Sequence, residues 1–400
     1  MIKVGSDFSG VGAFNQALMR LGIEYDEVFA CDMDKFARET FIHNYGEPKY
    51  YPKDVYEREI PKESLDIYMT SPPCQAFSLA GKRLGKDDKR GVLFFNSHEF
   101  IKKNKPRYFI FENVKGLLSD DNGNTFKEWV NMLGGKSLNG LPVLFPYEDS
   151  VPYHIYYKVM NAKKHGVPQN RERVFIIGIR DNQDNNFRWA KEEHLTKQLK
   201  DVLMNDVDAK YILSKKMLEK ITFETKKNGE IANLNKGGER GAVYGINSNY
   251  MSCLSATDYK QPKQIAVNQL NKSKESNGVQ PYQQNRVYDV NGINPALNAG
   301  QEMWGGNIIN TESIRRLTPT ECFRLMDFPD TFTWTCSDSQ AYKQAGNSIV
   351  VRCLELIIKQ FNEEAPRGSK TGTQGKKGSY ERSKIPKELC LEILKSCIDA

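Results

Sequence analysis

Along residues 1–180, short and almost wholly apolar runs alternate with stretches whose apolar positions recur every three or four residues. The runs Ile2–Val4, Val28–Ala30, Leu65–Thr70, Tyr108–Phe111, Tyr153–Met160 and Val174–Ile179 predict strands. Ala13–Leu21, Lys35–Tyr45 and Thr125–Leu133 predict amphipathic helices. This alternation predicts an α/β fold with a largely parallel sheet covered on both faces. From about Asp181 to Thr311 the rhythm is lost: Asn, Gly, Gln and Lys dominate, with hairpin-like pieces at Val243–Ile246 and Arg286–Val290. A second, smaller and loop-rich domain is expected there. Helical spacing returns at Thr320–Met326, behind the start signal Thr318-Pro319, and at Ser348–Phe361, so residues 312–361 rejoin the first domain. Residues 362–384 are polar, Gly- and Lys-rich, and read as a flexible linker. Beyond it, Leu389, Ile393, Leu394, Cys397 and Ile398 form an apolar stripe on a short helix over 385–400, which must dock on this chain or on a partner.

Composition narrows the class without choosing within it. An apolar share of 39% over 400 residues suits a soluble enzyme of two domains. The net charge of +7 and pI near 8.8 are compatible with a polyanionic partner but do not demand one. No signal peptide stands near Met1, and no apolar run approaches the ~20 residues of a membrane span, so a cytoplasmic protein without a membrane partner is expected. The eight cysteines are scattered, without metal-ligand or disulfide spacing, so no metal is expected. Cys31, Cys322 and Cys353 lie among apolar neighbours, where a free thiol behaves as a small hydrophobe.

Cys74 differs. The run Tyr68-Met-Thr-Ser-Pro-Pro-Cys-Gln75 stops at two prolines and turns a thiol out at the carboxyl end of a strand, where doubly wound sheets keep their chemistry. The next strand ends on Glu112-Asn-Val114, bringing a carboxyl group to the same edge. Phe8-Ser-Gly-Val-Gly12 is a Gly-rich turn from strand to helix, and Asp32, some twenty residues on, stands where a carboxylate holds ribose hydroxyls. Together they indicate a nucleoside-bearing cofactor, without distinguishing NAD from S-adenosylmethionine. The competing reading of Asp32 is a charge at the start of the helix Lys35–Tyr45. Arg171 and Arg173 alternate before a strand and can share a face, or form a surface ladder around Glu172. Gln344-Ala-Gly-Asn-Ser-Ile349 reads as a turn ahead of a helix. The Gly-punctuated, basic segment Ser78–Gly91 reads as a lid that closes over a phosphate backbone.

In this order, Phe8-Ser-Gly-Val-Gly12, Pro73-Cys-Gln75, Glu112-Asn-Val114, Gln169-Asn-Arg-Glu-Arg173 and Gly346-Asn-Ser348 resemble the motifs of the bacterial and phage cytosine-5 DNA methyltransferases. The resemblance spans residues 1 to about 361. It implies a Rossmann-like, S-adenosyl-L-methionine-dependent methyltransferase sheet, with residues 181–311 as target-recognition domain. It implies that Phe8, Gly10, Gly12, Asp32, Met33, Asp54, Leu93 and Asn347 form the cofactor pocket, Asp32 on the ribose and Asp54 on the adenine amino group. It implies that Cys74, Glu112 and Arg173 attack and hold a flipped cytosine, with Arg171 in support. The chemistry agrees: carbon 5 of cytosine is a poor nucleophile until a thiolate adds at carbon 6, and a protonated carboxyl can serve ring nitrogen 3. Two departures stand out. Met33 occupies a position where many members have Trp, and Cys253-Leu254 and Ala296-Leu297 both lack the hydroxyl of a Thr-Leu pair, so neither receives that role. The implied partner is double-stranded DNA, with a cognate restriction endonuclease possible and a monomer expected. The rival readings are a tRNA cytosine-5 methyltransferase and a catalytically silent DNA-binding relative.

Overall fold

The computed structural model describes residues 1–73, 92–211, 243–245, 251–252, 254, 264–267 and 313–362. The chain opens β1 (Ile2–Asp7), α1 (Ala13–Arg20), β2 (Tyr25–Cys31), α2 (Lys35–Tyr45) and β3 (Ile67–Thr70). It continues α3 (Val92–Asn104), β4 (Tyr108–Val114), α4 (Asn124–Leu133), β5 (Ser137–Leu138), β6 (Leu141–Pro142) and β7 (His154–Asn161). A two-residue β8 (Gln169–Asn170) precedes β9 (Glu172–Ile179).

The main sheet has strand order β2-β1-β3-β4-β9-β7-β5-β6. Its first four strands are parallel, as the alternation with helices predicts. β9 departs from that expectation, running antiparallel to both β4 and β7. The cause is length: residues 162–171 are too few for the crossover a parallel return needs, so the chain turns straight back beside β7. Side chains alternate along the strands to build two cores. Ile67, Met69, Ile110, Phe175 and Ile177 face one apolar cluster; Tyr68, Phe109, Phe111, Val174 and Ile176 face the other. The sheet is therefore covered on both faces.

Local signals account for the helix ends. Asp34 accepts from the amides of Phe36 (2.9 Å) and Ala37 (3.2 Å) and so starts α2, and Gly46, at φ 84°, ends it. Asp32 is thus not the cap of this helix. Thr318 starts α5 (Pro319–Leu325) in a capping box with Glu321, whose carboxylate also receives two bonds from buried Arg315. The helix over Ser348–Phe361 is observed as α7 (Val351–Asn362), preceded by α6 (Asp338–Asn347). Gln344–Asn347 is accordingly the last turn of one helix rather than a turn ahead of the next.

Within 181–211, Phe187 and Val202 join the same apolar cluster as α5 and α6, and Arg324 donates to Val202 O (3.2 Å). Val243–Gly245, expected in a hairpin, is β10 and pairs in parallel with β12 (Gln264–Val267), itself antiparallel to β13 (Ser313–Arg316). β11 (Met251–Ser252) pairs with β8. Arg286–Val290, the lid Ser78–Gly91, Ala296-Leu297 and the linker and helix beyond Asn362 lie outside the described residues. Cys31, Cys322 and Cys353 are buried free thiols. Among the described residues no helix is long and apolar enough to cross a membrane, and no His, Cys, Asp and Glu cluster suits a metal.

Candidate active site

The carboxyl ends of β1, β3 and β4 converge on one edge. From β1 the chain enters the turn Phe8–Gly12, where Phe8, Gly10 and Gly12 have φ of 57°, 54° and 84°. Left-handed backbone at Phe8 costs about 1 kcal/mol or more, and is held by its surroundings. The two glycines serve different ends. A Cβ on Gly12 would stand 2.2 Å from the Tyr45 ring, so that residue must be bare for α1 and α2 to pack. A Cβ on Gly10 would meet no atom within 4 Å, so its bareness leaves space beside the turn. Phe8, Gly10 and Asn347, with Ser71 and Ile349, line one cleft there.

Asp32, just past β2, braces this turn. Its Oδ2 accepts from Gly10 N and its Oδ1 from Asp34 N, both at 2.8 Å. Burial pushes its carboxyl up and these two amides oppose the shift. Met33 beside it is 84% exposed, an uncovered apolar side chain next to the residue that braces the turn. Asp54 accepts from Tyr56 N (3.0 Å) in a turn of its own, and Leu93 sits half-buried at the start of α3. Sequence reasoning had no signal for Tyr51, whose hydroxyl lies 3.2 Å from Ser9 Oγ and whose ring stacks under Arg38 at 3.9 Å.

Glu112 lies two residues before the end of β4, buried at 7% exposure. The antiparallel register puts Phe175 opposite Glu112 and Arg173 opposite Val114, so Glu112 and Arg173 are diagonal neighbours on one face. Arg173 Nε stands 3.1 Å from Glu112 Oε1. Burial pushes the Glu112 carboxyl up, and Arg173 and then Arg171 pull it down. Cys74 itself lies outside the described residues. The strand leading to it is tied to the same place, because Asn113 Nδ2 donates to Pro72 O (3.2 Å).

Arg171 is turned elsewhere. At 3% exposure it donates to Leu254 O (2.7 Å), Gly346 O (3.1 Å) and Ser348 O (2.6 Å). Gln169 completes the grip, accepting from Leu254 N (3.1 Å) and donating to Leu325 O (2.6 Å). Leu254, given no role from sequence, is thus held by both its backbone groups between Gln169 and Arg171. Glu172 points away and pairs with Lys115 (2.9 Å), so residues 171–173 are not a simple surface ladder.

A doubly wound sheet with a glycine turn, Asp32 bracing it and the buried acid Glu112 near one edge is an architecture suited to an enzyme of nucleoside-bearing cofactors. The chain matches the C-5 cytosine-specific DNA methylase family over residues 2–363 and belongs to it; its reaction is methylation of carbon 5 of cytosine in DNA. It is 32% identical to the orphan methyltransferase M.SPRI of Bacillus phage SPR, over 90% of this chain and 97% of that protein. It is 31% identical to the type II methyltransferase M.HhaI of Haemophilus parahaemolyticus, over 88% and 91%. Two solved structures share the fold. One is the Dnmt2 methyltransferase of S. pombe, with TM-score 0.57 and 17% identity over 90% of this chain and 98% of that one. The other is a variant of Spodoptera frugiperda DNMT2, with TM-score 0.61 and 19% identity over 91% and 100%.

Proposed function

We propose that the protein methylates cytosine in duplex DNA through a covalent bond to Cys74, with S-adenosyl-L-methionine held along the turn Phe8–Gly12. The observation that carries this reading is the Glu112–Arg173 pair, fixed at the carboxyl edge beside the strand that runs into Cys74. The residues present fit the cofactor. Gly10 leaves open space in the cleft, Asp32 and Asp54 offer carboxylate oxygens at two separate points, and Met33 offers an uncovered apolar face. Asp32 would hold the ribose, Asp54 the adenine amino group, and Asn347 the far side of the cleft, with Leu93 flanking the adenine. When bound, the cofactor supplies an electrophilic methyl group.

The chain's own groups do the rest. The Cys74 thiolate adds to carbon 6 of a cytosine flipped from the helix, and the electron pair moves toward carbon 5 and ring nitrogen 3. Glu112, its carboxyl raised by burial, donates a hydrogen bond or proton at nitrogen 3. Arg173 orients Glu112 and meets the base carbonyl. After carbon 5 takes the methyl group, a base removes its proton and the pair returns to break the sulfur–carbon bond, freeing Cys74. Arg171 we assign a positioning role, since its bonds go to three backbone carbonyls.

Duplex DNA carrying 5-fluorocytosine tests the scheme, because fluorine cannot leave as a proton does. A cofactor-dependent adduct that maps to Cys74 is expected, and Cys74→Ser is expected to bind DNA and cofactor without turnover. An adduct at another residue, or an active Cys74→Ser enzyme, overturns the reading.

A further inference from the structure

Arg58 belongs to no motif, yet it is 7% exposed and paired in the core beside Phe29, Tyr68 and Phe100. Its Nε donates to Asp7 Oδ1 (2.9 Å), and the Tyr68 hydroxyl donates to Asp7 Oδ2 (2.6 Å). The two charged side chains are 2% and 0% exposed. On the other side Arg58 Nη2 donates to Asn96 Oδ1 (2.8 Å), and Asn96 Nδ2 donates to Val55 O (3.0 Å). The rings of Phe100 and Phe29 flank the guanidinium at 4.5 and 5.8 Å.

Holding two charges this far from water is expensive, and apolar side chains of equal volume would pack as well. A guanidinium adds direction, because its donors leave at fixed angles. The pieces of chain that meet on this fork carry residues assigned above to one side of the cofactor pocket. Asp7 directly precedes Phe8, Val55 directly follows Asp54, and Asn96 lies one turn along α3 from Leu93. We propose that Arg58 and Asp7 are positioning residues for the adenosine half of the cofactor, fixing Asp54 and Leu93 relative to the glycine turn. This rests on reading the cleft as the S-adenosylmethionine pocket.

Calorimetric titration of the full chain with S-adenosylhomocysteine tests it in four variants. Asp54→Ala should weaken binding by about tenfold or more through its own lost bond. Asn96→Ala keeps the ion pair and removes the bridge from Arg58 to Val55, both its bonds, and Arg58→Lys keeps the charge and removes the fork. Each should weaken binding about three- to tenfold, and Asn96→Ala with Asp54→Ala should be within about twofold of Asp54→Ala alone, because the link acts through Asp54. In turnover, Asn96→Ala should raise the cofactor KM and leave kcat within about twofold, a split that a loss of general stability does not produce. Wild-type affinity in Asn96→Ala and Arg58→Lys, with Asp54→Ala weakened, overturns the proposal alone, as does full additivity of the double variant. Wild-type affinity in Asp54→Ala overturns the pocket reading and the proposal with it.

Discussion

Asp7–Arg58 and Glu112–Arg173 are both arginine–carboxylate pairs at the carboxyl edge of the sheet, with contacts of 2.9 and 3.1 Å. Their surroundings differ. The first has side chains 2% and 0% exposed and is closed by Tyr68 and Asn96, whereas the second is 18% and 9% exposed near the end of β4. Burial raises both carboxyls, and an arginine opposes the shift in each. What separates them is access: the closed pair can only hold other groups in place, while the open pair can meet a substrate. On the roles proposed above, the same chemistry serves as scaffold in one position and as reagent in the other.

Replacing the open acid tests this most sharply. Glu112→Gln should lower turnover by roughly 10²–10⁴, the range of a lost general acid, while the melting temperature stays within a few degrees. A loss of stability as large as the loss of rate would erase the distinction. For the closed pair the effects should exchange. Arg58→Met should destabilise the fold by about 3–5 kcal/mol, measured by urea unfolding, because it strands Asp7 without its cation. Adding Asp7→Asn should restore most of that stability, since Asn keeps an acceptor for the Tyr68 hydroxyl and carries no charge. Failure of the second change to restore stability would show that the cost is packing.

Carboxylates without an arginine extend the comparison. Asp32→Ala should weaken S-adenosylhomocysteine by about 1.5–3 kcal/mol, one lost bond to a charged acceptor, with DNA binding unchanged in the same titrations. Glu27 of β2 is half-buried beside Asn15, and burial pushes its carboxyl up to about 8. A folded value above the unfolded one near 4.5 means that stability is fullest below that lower value and falls as pH rises toward 8. Glu27→Gln should therefore leave the melting temperature unchanged at pH 4 and raise it at pH 8 by about 2–4 °C. An equal shift at both pH values would locate the effect in packing.

Much of this arrangement is legible in the chain. The strand–helix alternation gives the parallel strands, and Asp34 and Gly46 bound α2 at the residues its periodicity marks. α3 escapes notice because its buried face carries Ser97, His98 and Asn104, while Phe95 is 47% exposed, so the apolar stripe is broken. β9 turns antiparallel for a reason of loop length, which apolar runs do not record. At the site, the glycine turn, Glu112 and the Gln169–Arg173 run are visible as local strings. The partnership of Asp7 with Arg58 spans fifty-one positions and crosses a loop with no periodicity, so only the fold reveals it. The differing destinations of Arg171 and Arg173 also depend on tertiary contacts, since two positions of the same type and alternation read alike in sequence.

The grip on Leu254 asks little of what it holds. Gln169 takes the amide hydrogen and Arg171 the carbonyl oxygen, groups that every residue except proline offers together. The side chain itself is buried, at 2% exposure, in the apolar cluster of α5 and α6. This joint reads backbone groups at residue 254 and makes no demand on the residues either side of it. Other sequence around residue 254 is expected to keep this joint wherever it presents a non-proline apolar residue at that one position.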